Sequence, residues 1–182
     1  FYEWPEILLD TLHGLKNSHY EIYDVMPGTR IDWANILDDY KGEYNAQEAR
    51  AVQELALYCG MACKMNYGVN ASGSNTYKML SPLEHVFGYK YVAFYDRSYY
   101  SPRQWRELLQ YELRRGVPLV YAGYNMNFSG HAFVVDGLDE NGFYHICWGE
   151  GGVFNGYFNI DFMNAYEPYD KPTEIGMEMG HF

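Results

Sequence analysis

The sequence predicts an α+β domain, with helices first and an antiparallel β-sheet second. Two observations carry that assignment. The run 46–58 (AQEARAVQELALY) sets Ala49, Val52, Leu55 and Ala56 at helical spacing. From residue 118 onward the pattern breaks into short β-rich runs, each bounded by Gly, Asn or Asp.

The elements follow in chain order. Residues 46–58 form the first helix. A loop, Tyr67-Gly68-Val69-Asn70-Ala71, leads into a second helix expected over 72–87. Ser101-Pro102 opens a third, with Ser as N-cap and Pro at the first helical position. Gly116 closes it, after Arg114 and Arg115 in the last turn. Strands are expected over 118–124, 131–136, 143–148 and 157–161, with a last one over 174–180. Asp139-Glu140-Asn141-Gly142 is a hairpin signal, because Asn-Gly favours the positive φ angles of tight turns. No repeat, low-complexity tract or long linker divides the chain, so a single domain is expected over residues 1–182.

Composition narrows the function classes. With 48% hydrophobic and 20% charged residues the chain has the make-up of a globular domain. A net charge of −11 argues against a nucleic-acid partner, whose phosphates are neutralised mainly by Lys and Arg. No run approaches the roughly 18 apolar residues that a membrane span needs. The 20 tyrosines fit a Tyr-rich sheet, or a platform that stacks sugars or peptide side chains. Cys59, Cys63 and Cys147 make no disulfide framework. Cys59 and Cys63 could share a helical face, but no second ligand pair stands nearby at zinc spacing, so no metal and no cofactor are expected.

The chemistry concentrates in two blocks. In Ser129-Gly130-His131-Ala132-Phe133-Val134-Val135-Asp136-Gly137 a histidine opens a strand directly after a glycine. Its imidazole suits general acid–base work near neutral pH, and Gly130 lets a substrate backbone approach. Taken alone, a strand histidine is more often structural. The second block, Phe143-Tyr144-His145-Ile146-Cys147-Trp148-Gly149-Glu150-Gly151-Gly152, ends a strand on Trp148 beside a Gly-rich loop. Trp148 could shield an ion pair from water, or simply fill the core. Strand alternation puts His145 and Cys147 on one face. A catalytic thiolate is usually lowered in pKa at a helix N-terminus or beside a cation, so Cys147, in a strand, is not expected to be a nucleophile.

GHAFVVDG, FYHICWGEGG and NGYFNID together resemble the active-site half of the streptopain family of bacterial cysteine peptidases. Upstream, Ile31-Asp32-Trp33-Ala34-Asn35-Ile36-Leu37, Asn66-Tyr67-Gly68 and Ser72-Gly73-Ser74 resemble further segments of that family. The resemblance implies a papain-like fold and a Cys–His endopeptidase, exported and made as a zymogen. It makes His131 the catalytic imidazole. It places Ser72, Gly73, Ser74, Gly130 and Trp148 beside the substrate. Ser129 departs from the family's first glycine of the Gly-Gly-His motif, Cys147 from its asparagine and Glu150 from its second tryptophan.

The nucleophile is not in this chain. Papain-like enzymes place the Cys roughly 130–150 residues before the His, which for His131 falls at or before Phe1. Phe1-Tyr2-Glu3-Trp4-Pro5-Glu6 resembles the end of the family's Cys-bearing helix. The domain is therefore expected to be incomplete at its N-terminal side. The expected partners are a peptide or protein substrate and an upstream segment carrying the Cys and a propeptide. The expected setting is secreted or on a bacterial cell envelope. The alternative is a catalytically inactive relative that binds a peptide or protein partner in the same groove. A carbohydrate-binding β-module rests on composition alone.

Overall fold

The computed structural model describes residues 4–124 and 130–161. Ser129 and the strand expected over 174–180 lie outside them. Two compact units divide the chain, Phe1–Phe94 and Tyr95–Phe182.

In the first unit, chain segments on either side of a short hairpin pair with each other. Strands β1 (Leu15–Lys16) and β2 (Glu21–Ile22) form the hairpin, and the bridges Ile7↔Arg30 and Leu12↔Val25 extend it outward. None of these short pairings has an alternating pattern long enough to read from the sequence. Trp4, Pro5 and Glu6 are not helical, contrary to their likeness to a helix end. The residue before a proline is steered away from the α region.

Helix α1 spans Ala46–Ala62, four residues longer than the expected 46–58. Asn45 caps it: its side chain accepts from the Gln47 and Glu48 amides while Glu48 accepts from the Asn45 amide. The buried face differs from the expected one. Ala51, Tyr58, Met61 and Ala62 are buried, whereas Ala49 and Val52 are only partly covered and Ala56 is exposed. The core formed by Leu8, Leu12, Ile31, Val86 and Phe87 lies against that rotated face.

The helix expected over 72–87 begins late. A 3₁₀ turn covers Thr76–Met79, and α2 covers only Leu80–His85. Asn66 and Gly73 exchange both backbone hydrogen bonds, at 3.0 and 3.1 Å, which keeps the chain before residue 76 extended. A tertiary pairing outweighs local propensity here.

In the second unit α3 spans Pro102–Arg114, close to expectation. Ser101 and Gln104 form a capping box, Pro102 opens the helix, and Gly116 follows it at φ +76. The antiparallel sheet runs in the order β3 (Leu119–Tyr124), β4 (Gly130–Leu138), β5 (Tyr144–Cys147), β6 (Gly156–Phe158). The hairpin between β4 and β5 is present, but of its two turn residues only Gly142 takes a positive φ, +87. The Asp139 carboxylate instead accepts from the Asn141 and Phe143 amides and shapes the turn.

One sheet face packs on α3. Its core holds Trp105, Leu109, Tyr121, Phe133, Val135, Tyr144, Ile146, Trp148, Phe158 and Ile160. Tyr121 is 6% exposed and its hydroxyl accepts from Trp105 Nε1 at 2.9 Å. Burial pushes its pKa well above the ordinary tyrosine range, and burial raises Tyr144 as well. The folded state thus keeps protons that the unfolded chain releases near pH ~10. This contribution to stability is whole below that pH and is lost as pH rises further. The urea midpoint should therefore fall from pH 9 to pH 11, and fall less in Tyr121→Phe. An equal fall in both proteins would show that Tyr121 is not responsible.

Candidate active site

His131 is the second residue of β4, and its position is set by ladder register. It pairs with Gly123 of β3, and strand alternation puts it on the same face as Phe133 and Val135. A Cβ on Gly123 would meet no described atom within 4 Å. The ring lies near-parallel to Phe133 and Trp148, with centroids 6.2 Å from each.

The decisive contact is 2.8 Å from His131 Nε2 to the Trp148 carbonyl oxygen. A carbonyl only accepts, so Nε2 carries a proton and donates it. In the neutral ring Nδ1 is then the basic nitrogen. The histidine is poised to exchange a proton through Nδ1 while Nε2 holds its orientation.

Trp148 serves this arrangement through its backbone. Its indole is 1% exposed and packs 4.7 Å from Phe133 and edge-on 5.5 Å from Phe158, so it faces the core rather than a substrate. Its Nε1 has no hydrogen-bond partner among the described residues. Gly130 opens β4, exposed, opposite Tyr124. Glu150 is exposed at the first position of a turn closed by the Val153 amide on its carbonyl, at 3.1 Å.

Cys147 lies on the opposite face of the sheet from His131. It pairs with Val134, and cross-strand partners share a face. His145, on that same outer face, is bonded through Nδ1 to Asp136 at 2.6 Å and stands edge-on to Tyr157. The Cys147 sulfur accepts from Asn155 Nδ2 at 3.4 Å. Among the described residues no hydrogen bond joins His145 to Cys147, so the nucleophile–base contact is missing there. Asn155 was not singled out by sequence. The Asn-Gly pair that opens β6 reads as ordinary turn chemistry.

Ser72, Gly73 and Ser74 belong to the first unit and form a pinned, exposed loop. The Ser72 hydroxyl accepts from the Gly68 amide at 3.3 Å, and both peptide groups of Gly73 are taken by Asn66. The Ser74 hydroxyl donates to the Cys63 carbonyl.

Cys59 and Cys63 line an apolar cavity of about 780 Å³ with Ile22, Leu57, Met65 and Tyr67. Cys59 is exposed as a residue, yet its thiol lies against these walls. Burial pushes both thiols up. The neighbouring Cys63 adds to the rise at Cys59, and Lys78 opposes it at Cys63. That is the opposite of an activated thiolate. Among the described residues no three His, Cys, Asp or Glu side chains gather as a metal site, and no helix is long and apolar enough to cross a membrane.

The chain is similar to known proteins. The model of the peptidase C10 family matches residues 1–158. Streptopain of Streptococcus pyogenes serotype M28 is 32% identical over 81% of this chain. The thiol protease/hemagglutinin PrtT of Porphyromonas gingivalis is 26% identical over 90% of it. The chain spans only 37% and 19% of those two proteins. Active interpain A, a cysteine protease of Prevotella intermedia, superposes with a TM-score of 0.83 at 32% identity, covering 91% of this chain and 71% of that one. A prointerpain A fragment gives 0.78 at 34% identity, covering 88% and 52%. On this sequence and structural likeness, the chain belongs to the peptidase C10 family and its fold is papain-like.

Proposed function

We propose that the full-length protein is a cysteine endopeptidase in which His131 works with a cysteine upstream of this chain, the two forming one peptidase domain with residues 1–182. The observation that carries this is the His131–Trp148 contact, which leaves Nδ1 as the basic nitrogen. The upstream thiol gives its proton to Nδ1, and the thiolate attacks a peptide carbonyl. The resulting imidazolium returns the proton to the leaving amine, and water then hydrolyses the acyl-enzyme. Throughout, Nε2 stays bonded to the Trp148 carbonyl, which holds the ring in its orientation. Support for an upstream cysteine comes from the spacing that papain-like enzymes keep before the His. The three cysteines present supply no candidate: two thiols are raised by burial and the third lies on the far sheet face.

In this reading Gly130 and the loop of Ser72, Gly73 and Ser74 face the substrate. Relatives come from bacteria, and one solved relative is a proenzyme fragment. We accordingly place the protein outside the cytoplasm or on the cell envelope, made with a propeptide.

The test is reaction of the activated full-length protein with a thiol-directed peptidase inhibitor, followed by peptide mapping. The expected result is one modified cysteine upstream of Phe1, loss of peptide hydrolysis, and no stoichiometric label on Cys59, Cys63 or Cys147. Rapid, selective labelling of Cys147 would overturn the assignment of His131. A protein that hydrolyses no peptide but binds one would be the inactive relative.

A further inference from the structure

We infer that Asn155 is the residue that positions His131, acting through the Trp148 backbone. The effect on rate rests on the peptidase reading above; the effect on the imidazole does not.

The geometry begins where the sheet ends. The β5–β6 ladder pairs Tyr144↔Phe158, His145↔Tyr157 and Ile146↔Gly156, and then stops. Its register would next bring Asn155 opposite Cys147, but the backbone departs instead into the loop 148–155. Trp148, the first residue beyond β5, would be left with a free N–H and a free carbonyl. These two groups belong to the successive peptides that meet at the Trp148 Cα; with neither held both can rotate, and a carbonyl that rotates cannot orient an imidazole.

The Asn155 side chain meets that need. Its Oδ1 accepts from the Trp148 amide at 3.0 Å, and its Nδ2 donates to Cys147 Sγ at 3.4 Å. A side-chain amide thus replaces the ladder partner that β6 no longer provides. With the N–H of Trp148 engaged on Asn155, the Cα that carries its carbonyl is anchored, and that carbonyl stands 2.8 Å from His131 Nε2. The connection runs Asn155 to Trp148 N–H, Trp148 C=O to His131, and every link is a hydrogen bond of ordinary length.

A second observation is independent of these bonds. The loop that returns Asn155 to Trp148 is held in an uncommon backbone path. Gly149, Gly151 and Gly152 have φ of +81, +62 and +85, and Phe154, directly before Asn155, has φ +65. A non-glycine residue in that region costs roughly 1–2 kcal/mol and persists only where its surroundings hold it. Strain next to Asn155 is what a loop built to deliver that one side chain would show.

Asn155 is itself exposed, so trimming it opens no cavity in the core. That separates positioning from folding. The experiment uses the full-length protein with isotope-labelled histidine and reads His131 by NMR of its ring nitrogens, beside steady-state kinetics on a peptide substrate. Wild type should show the Nε2–H tautomer. Asn155→Ala should shift His131 toward a mixture of tautomers and lower kcat on the order of 10- to 100-fold, with KM nearly unchanged. Asn155→Asp keeps an acceptor for the Trp148 amide and loses the donor to Cys147. It should restore the tautomer and most of kcat, which a role in merely closing the loop does not require.

An Asn155→Ala protein with wild-type tautomer and kcat overturns the inference. So does one whose losses Asn155→Asp fails to recover. Should the full-length protein hydrolyse no peptide, the peptidase reading fails, and the tautomer comparison still decides the role of Asn155.

Discussion

Replacing His131 by alanine in the full-length protein is expected to lower kcat for peptide hydrolysis by about 10³-fold or more. General acid–base catalysis contributes about 10²–10⁴-fold, and a nucleophile without its base loses most of its advantage as well. The folded state should tolerate the change, because His131 is only partly buried at the edge of the core. Thermal unfolding close to wild type, together with lost turnover, is the expected pair of results. A His131→Ala protein retaining a tenth or more of wild-type kcat would show that another group serves as the base.

Trp148→Ala carries the largest expected effect on stability. The indole is 1% exposed and contacts Phe133, Phe158 and the His131 ring. Deleting a buried Trp costs about 3–5 kcal/mol, against a total of about 5–15 kcal/mol for a domain. Urea unfolding should show that loss in full. Trp148→Phe tests the division of labour between ring and backbone. It removes Nε1, which has no partner among the described residues, keeps an aromatic ring in the core and leaves the carbonyl that holds His131. The expected outcome is a smaller stability loss and a retained Nε2–H tautomer at His131. A collapse of the tautomer in Trp148→Phe would mean that the indole, not the carbonyl, orients the imidazole.

Local signals were legible where the physics is local. Ser101, Pro102, Gln104 and Gly116 bound α3 closely because each satisfies or removes a helix-end group within a few residues of itself. The four strands described in the second unit were legible for a similar reason. Turn residues separate them, and Phe133, Val135, Tyr144 and Ile146 alternate with outward-facing neighbours. The face of α1 was less legible. Apolar residues run nearly all round that helix, and which of them is buried depends on where Leu8, Ile31 and Phe87 pack.

By itself the sequence determined the α+β class, the order of the three helices and of the strands β3 to β6, the family, and the two blocks that hold His131 and Trp148. These follow from period, turn chemistry and side-chain identity, which a sequence records directly. Tertiary structure alone decided the late start of α2, because the Asn66–Gly73 pairing is a contact between separate segments. It alone showed that Cys147 faces away from His131, because that depends on ladder register. It alone showed that a backbone carbonyl orients the imidazole, with Asn155 behind it. Every residue but proline carries the same amide and carbonyl, so nothing in the letters marks the one carbonyl that the fold aims at His131.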